Sequence, residues 1–157
     1  MKTPLQDYTS MVAFFGPVGE NQTQIVMPFP LKLSWEPTTI VRKVTCHEKC
    51  ADAFLQIWKD TLSHYGQEKL SALRLDMFGG CLNVRKMRGG NAWSIHSWGA
   101  AWDTDPDNNL LQWGRDRAEF ARPEYEPFWK IVEAAGGVSL GRAADRDFMH
   151  IQFARLR

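Results

Sequence analysis

One stretch constrains this chain more than any other: Trp93-Ser94-Ile95-His96-Ser97-Trp98-Gly99-Ala100-Ala101-Trp102-Asp103. It holds a histidine and an aspartate with mostly small residues between them. A second stretch near the end, Asp147-Phe148-Met149-His150-Ile151-Gln152-Phe153, adds another histidine and another carboxylate. Two histidines and one aspartate form the ligand set of a catalytic zinc site with one position left open for water. Asp147 is then left over to move a proton. The fold must bring these two stretches together, and the sequence reads as that of a zinc hydrolase.

The 157 residues are expected to form one domain, 1–157, large enough to bury a core without staples. Residues 1–45 are rich in Pro, Gly, Thr and Gln. They read as extended segments and turns punctuated by Pro17, Pro28, Pro30 and Pro37, a packed cover or edge strand without chemistry. From Thr45 the pattern turns helical. Thr45 can cap, Glu48 follows three residues later, and Ala51, Phe54, Leu55, Trp58 and Leu62 recur at helical spacing up to Gly66, which predicts a helix over 46–65. Loose alternation over Leu70 to Phe78 reads as a strand ending at Gly79-Gly80. A loop through Arg85 to Asn91 then delivers the chain to His96. Gly99 to Thr104 reads as a short buried strand, Pro123 to Ala135 as a second helix stopped by Gly136-Gly137, and Phe148 to Ala154 as the last strand. The expected class is α+β, a small antiparallel sheet carrying the zinc site with two or three helices packed on one side. Residues 70–153 form the metal-site core.

A net charge of +1 gives no global field toward nucleic acid or an anionic membrane. The basic runs Arg85-Lys86-Met87-Arg88 and Arg155-Leu156-Arg157 read as solvated faces. No early apolar segment reaches the ~20 residues that span a bilayer. Met11 to Phe15 is too short for a signal peptide, so synthesis in the cytoplasm is expected. Three cysteines, Cys46, Cys50 and Cys81, suit reduced thiols better than a disulfide framework. Cys46, His47 and Cys50 lack the fourth ligand of a metal clip, and His47 and His64 read as structural residues of the first helix. The seven tryptophans fill a core or line a cleft, and composition does not separate the two.

His96 and His150 are set apart by their company. A strand-borne Asp103 beside Trp102 is costly to bury unless it is paired or bound to a metal. Gly99, Ala100 and Ala101 leave room for a ligand near the backbone. Two neutral imidazoles and one carboxylate leave zinc a net charge of about +1, which lowers the pKa of a bound water toward ~7. Asp147, three residues before His150, is placed to accept that water's proton and pass it to a leaving amine.

These residues match a pattern. Ser-x-His-x-x-Gly-x-Ala-x-Asp over Ser94 to Asp103, followed by Asp-x-x-His over Asp147 to His150, resembles the zinc D-alanyl-D-alanine carboxypeptidases and the phage L-alanyl-D-glutamate endolysins, within the lysostaphin, D-Ala-D-Ala peptidase and hedgehog fold group. The resemblance extends through Phe78-Gly79-Gly80-Cys81, Arg85, Arg88-Gly89-Gly90, Trp93 and the Asp105-Pro106 turn with Asn108 and Asn109, covering about residues 70–153. It implies His96, Asp103 and His150 as zinc ligands and Asp147 as general base, where many relatives carry Glu and the endolysin side more often Asp. It also implies an arginine that polarises the substrate carbonyl or binds its carboxylate, either Arg85 or Arg88. Ser94 is placed to hydrogen-bond in the first turn of the site, as substrate contact or as turn serine. Two departures, Met149 before the last ligand and Val138-Ser139 after Gly136-Gly137, bear on the shape of the substrate pocket and leave the ligands in place.

The expectation is therefore a monomeric zinc peptidase, carrying one Zn2+, that hydrolyses peptidoglycan stem peptides. The endolysin-type L-alanyl-D-glutamate endopeptidase comes first and the D-alanyl-D-alanine carboxypeptidase second, with no nucleic-acid or membrane partner. It would act on the cell wall after release through a holin-made hole. A non-catalytic zinc-stabilised binding module and a hydrolase using Cys81 as nucleophile are the readings from other classes.

Overall fold

In the computed structural model, which describes residues 1–156, the chain begins with a helix, α1 (Tyr8–Phe15). Asp7 caps it by accepting a hydrogen bond from the Ser10 N–H at 2.9 Å. Two 12-residue strands follow, β1 (Gln22–Leu33) and β2 (Glu36–His47), joined through Ser34 and Trp35 into an antiparallel hairpin. Pairing jumps from Val26↔Lys43 to Leu31↔Val41, so β1 bulges across Pro28 and Pro30, which have no N–H to give to the ladder. Residues 1–45 thus contain a helix and the sheet's largest hairpin, beyond the turns and extended segments expected there. β2 does lie at the sheet edge.

The first long helix, α2 (Ala51–Tyr65), starts later than expected. Thr45, Cys46 and His47 stay in β2 because Gln24, Thr23 and Gln22 pair with them, and that ladder overrides the local cap signal. Leu70 to Phe78 is not one strand. It holds α3 (Gln67–Ala72), a turn at Arg74 with φ +61°, and then β3 (Met77–Gly80). The remaining elements are β4 (Ala101–Thr104), α4 (Glu126–Ala134), β5 (Val138–Ser139), α5 (Leu140–Ala144) and β6 (His150–Gln152).

The fold is mixed α+β, with five α-helices beside a six-stranded sheet in the order β2-β1-β3-β4-β6-β5. The sheet is larger than expected and antiparallel except where β1 meets β3, with Lys32 beside Met77. The core lies between the sheet, α2 and α4. Trp58 of α2 sits 5.4 Å from Trp102 of β4 and 5.5 Å from Phe128 of α4 between ring centroids. Phe54 and Phe78 close on Trp102 at 5.2 and 5.1 Å. Trp58, Trp98, Trp102 and Trp129 are buried and Trp35 is exposed, so most of the tryptophan serves the core. Side chains alternate along a strand, so anchoring Trp102 in this core turns Asp103 to the opposite face of the sheet. The run at Arg155 and Leu156 pairs back to the N-terminal segment through a bridge at Leu5, while Arg157 lies outside the described residues.

Candidate metal centre

Asp103 and His150 are direct partners across the antiparallel pair β4/β6. Register alone therefore places both side chains on one face, at the separation typical of cross-strand neighbours. His96 arrives from a 3-10 turn, Ile95–Trp98, immediately before β4. Ser94 caps that turn, its Oγ accepting from the His96 N–H at 3.3 Å, and Gly99 ends it with φ +69°. A side chain at Gly99 would collide with the Gln22 amide and the His47 backbone, so this glycine lets the turn close against the hairpin. At Gly79 a Cβ would stand 3.0 Å from the Asp103 Cβ, so β3 approaches the site strand closely because the residue there is small.

His96 Nε2 lies 3.1 Å from Asp103 Oδ2, and His150 Nδ1 lies 3.2 Å from Asp103 Oδ1. One donor atom from each of the three residues falls within 4.8 Å of the other two. Bonds of 2.0–2.1 Å to a tetrahedral zinc imply ligand atoms about 3.3 Å apart. The two separations, one to each Asp103 oxygen, are close to that edge. The far nitrogens are also engaged: His96 Nδ1 is 2.7 Å from the Cys81 carbonyl and His150 Nε2 is 2.8 Å from Gln152 Oε1. A carbonyl only accepts, so His96 Nδ1 carries a proton, and a bound metal ion would take the Nε2 lone pair. The buried His96–Asp103–His150 cluster can hold a metal ion.

The charges of the cluster shape one another. Burial alone would raise the Asp103 carboxyl, but the charge of His96 and hydrogen bonds from both histidines outweigh it and hold the group well below the usual carboxylate range. Burial opposes protonation of His150, yet its hydrogen bond to Asp103 and the charges of Asp103 and Asp147 raise it above the ordinary histidine value. Asp147 stands apart from the three, its Oδ2 4.0 Å from His150 Nδ1. The spacing Asp-x-x-His is a turn in which the His150 N–H donates to the Asp147 carbonyl at 3.0 Å. Burial is the main influence raising the Asp147 carboxyl above its usual value. The charge of His150 pulls it back and that of Asp103 pushes it further up. A carboxyl shifted upward beside a metal site suits proton transfer.

The arginines lie on the loop before His96. Arg85 is half-buried, with its backbone N–H on Ser97 Oγ at 3.0 Å and its guanidinium on the Lys86 carbonyl at 3.3 Å, and Arg88 is exposed. Among the described residues, no hydrogen bond or ion pair joins either guanidinium to His96, Asp103, Asp147 or His150. Ser94 is buried and occupied as the cap of the His96 turn.

Sequence reasoning passed over three contributors: the Cys81 carbonyl, Gln152, and Ser97, which ties the arginine loop to the turn by accepting from the Arg85 N–H and donating to its carbonyl at 2.9 Å. Gln152 was findable, since it sits two residues from His150 on one strand and so on the same face. A backbone carbonyl leaves no mark in a sequence. His47 closes β2 instead of lying on a helix, with Nε2 2.7 Å from the Phe15 carbonyl and Nδ1 accepting from the Lys49 N–H. Both of its nitrogens are used, and Cys46 and Cys50 are free buried thiols, the former pushed up to about 12 by burial. The Cys81 thiol is fully buried and burial raises it well above its usual value, so it is a poor nucleophile at neutral pH.

The fold and the site together define a mixed α+β protein with a buried two-histidine, one-aspartate cluster able to take a metal ion. Comparison with protein-family models, curated proteins and solved structures returns no match.

Proposed function

We propose that this protein is a zinc-dependent peptidase acting on peptidoglycan stem peptides, as an L-alanyl-D-glutamate endopeptidase of the endolysin kind. The observation that carries the reading is one geometry: a donor atom from each of His96, Asp103 and His150 within 4.8 Å of the other two, with a separate carboxyl, Asp147, held on the same turn as His150. The substrate class rests on the resemblance of Ser94 to Asp103 and Asp147 to His150 to those peptidases.

His96, Asp103 and His150 would hold the ion. Bound there, zinc supplies Lewis acidity toward the scissile carbonyl and acidifies water. Asp147 takes the proton from the attacking water and returns it to the leaving amine, a cycle for which its buried, upward-shifted carboxyl is suited. Arg85, or Arg88 beside it on the loop, binds a substrate carboxylate or steadies the charge that develops on the carbonyl oxygen. Ser94 keeps the His96 turn in shape. The protein works as a monomer, binds no nucleic acid and reaches the wall after release from the cytoplasm.

The test is to incubate purified protein with peptidoglycan beside Asp147→Ala and an EDTA-treated sample, and to identify products by mass spectrometry. New amino termini on D-glutamate are expected, lost in both controls. Released D-alanine would instead make the protein a carboxypeptidase. Zinc binding without any cleavage would overturn the enzyme reading in favour of a metal-stabilised binding module.

A further inference from the structure

The side chain of Gln152 is 2.8 Å from the far nitrogen of His150, and its orientation is fixed by groups that have no choice. Gln152 Nε2 lies 3.0 Å from the Ala154 carbonyl and 3.1 Å from Gln6 Oε1. A main-chain carbonyl can only accept, so the amide nitrogen must face Ala154 and the amide oxygen must face His150. An amide oxygen also only accepts. His150 Nε2 must therefore carry a proton, and Nδ1, 3.2 Å from Asp103 Oδ1, is the nitrogen presented to the cluster.

Were the amide reversed, its N–H groups would confront His150 Nε2. That nitrogen would give up its proton to accept, and Nδ1 would carry a proton where a metal needs a lone pair. Water does not substitute for the amide, because His150 and Gln152 are 6% and 2% exposed and a buried donor without an acceptor is costly.

We propose that Gln152 is a positioning residue of the metal centre, selecting Nδ1 of His150 as the coordinating atom, and that Gln6 supports it from the N-terminal segment. The segment is well placed for this. Leu5 bridges Arg155 in parallel, the Gln6 N–H donates to the Arg155 carbonyl at 3.0 Å, and the Arg155 N–H donates to the Pro4 carbonyl at 2.7 Å. The chain before α1 is thereby stitched to the chain after β6, and it presents Gln6 Oε1 to the amide from the more exposed side. With a metal ion bound, the two histidines would be held in opposite tautomers by two different acceptors, the main-chain carbonyl of Cys81 for His96 and the side chain of Gln152 for His150. Only the second can be removed by substitution.

This inference rests on the metal-binding part of the proposed function and not on the peptidase part. Its test therefore reads the metal. The full chain, labelled with 15N and loaded with 113Cd, is expected to show cadmium coupling to His150 Nδ1 and His96 Nε2. Gln152→Met should weaken zinc affinity about 10–100-fold in chelator competition, the range for loss of a ligand's outer partner, and reduce or move the His150 coupling. Gln152→Glu keeps an acceptor and should keep the Nδ1 coupling. Gln6→Ala should leave the coupling on Nδ1 with a smaller loss of affinity.

Where Gln152→Met does not fold, Gln152→Asn retains the amide, withdraws it by one methylene and takes its place. Wild-type coupling through His150 Nε2, or a Met or Asn variant with unchanged affinity and coupling, would overturn the proposal. Wild-type protein that takes up no metal would overturn it together with the metal reading. Protein that binds zinc as described but cuts no peptide would overturn the peptidase reading alone.

Discussion

β1 and β2 run for 12 residues each and carry none of the His–Asp–His cluster, whereas β4 and β6 have 4 and 3 residues and carry two of its three members. The long hairpin supplies sheet area and inward residues such as Ile25, Phe29 and Leu31, and it tolerates a bulge at Pro28 and Pro30. The short pair tolerates no comparable slip. Moving β6 by one residue against β4 would send His150 to the core face and Ile151 to the site. Length therefore does not set how tightly a strand is specified here; side chains needed on both faces do. Trp102 and Ile151 fix the pair from the core side, while Asp103 and His150 use the register on the other.

The sharpest way to break the contrast is at Asp103. If the cluster holds zinc as proposed, Asp103→Ala should lower zinc affinity by more than the roughly 100-fold lost when a ligand's hydrogen-bond partner is removed, and abolish the proposed hydrolysis, read by chelator competition and product analysis. Trp102→Ala, one residue away, should instead cost about 3–5 kcal/mol of stability in denaturant unfolding, because it removes a ring packed against Phe54, Trp58 and Phe78. Adjacent residues would then separate chemistry from folding.

A smaller effect follows from pH. The His150 value is raised in the metal-free protein, so its contribution to stability is full below the ordinary histidine value of about 6.5 and is lost as pH rises through the folded value. A metal ion bound by His150 would have to displace a proton held more tightly than usual. Apparent affinity should therefore begin to fall on acidification while still above the ordinary histidine range, with proton release measurable by calorimetry in buffers of different ionisation heat. Asp103, depressed, contributes stability above the usual carboxylate value and loses it only as pH falls through its lower folded value. The smallest effect is expected on the hairpin. Ile40→Thr, at a 49% exposed position, should change stability by no more than about 0.5 kcal/mol and leave zinc binding unchanged.

What was legible in the sequence follows the same division. The residues of the cluster could be read because His and Asp at this spacing are chemically distinctive. The pairing that joins Asp103 to His150 could not, since register is a tertiary property. Thr45 and Glu48 offered a helix start, but the partners of residues 45–47 lie more than 20 positions upstream in β1. The alternation Leu73, Leu75, Met77 resembled a strand, while Leu70 and Leu73 are buried at the end of α3, three apart, before Arg74 turns the chain. α1 is only eight residues long and lies between Pro4 and Gly16-Pro17, so its short apolar run Met11 to Phe15 was too brief to show a helical period, although Asp7 is an ordinary cap.

Asp147 sits at φ +57°, a conformation unfavourable to most side chains, and is 7% exposed. The backbone there is strained for most side chains, and burial, partly offset by the charge of His150, resists the carboxylate's charge. The position is a point of local frustration, where the chain keeps a residue that its own folding would replace. Asparagine adopts the same backbone more readily and carries no charge to desolvate. Asp147→Asn should raise unfolding stability at neutral pH by about 1 kcal/mol or less, read from the denaturant midpoint, while removing the proposed proton acceptor. A more stable and less active protein would locate here the stability that was given up for reactivity.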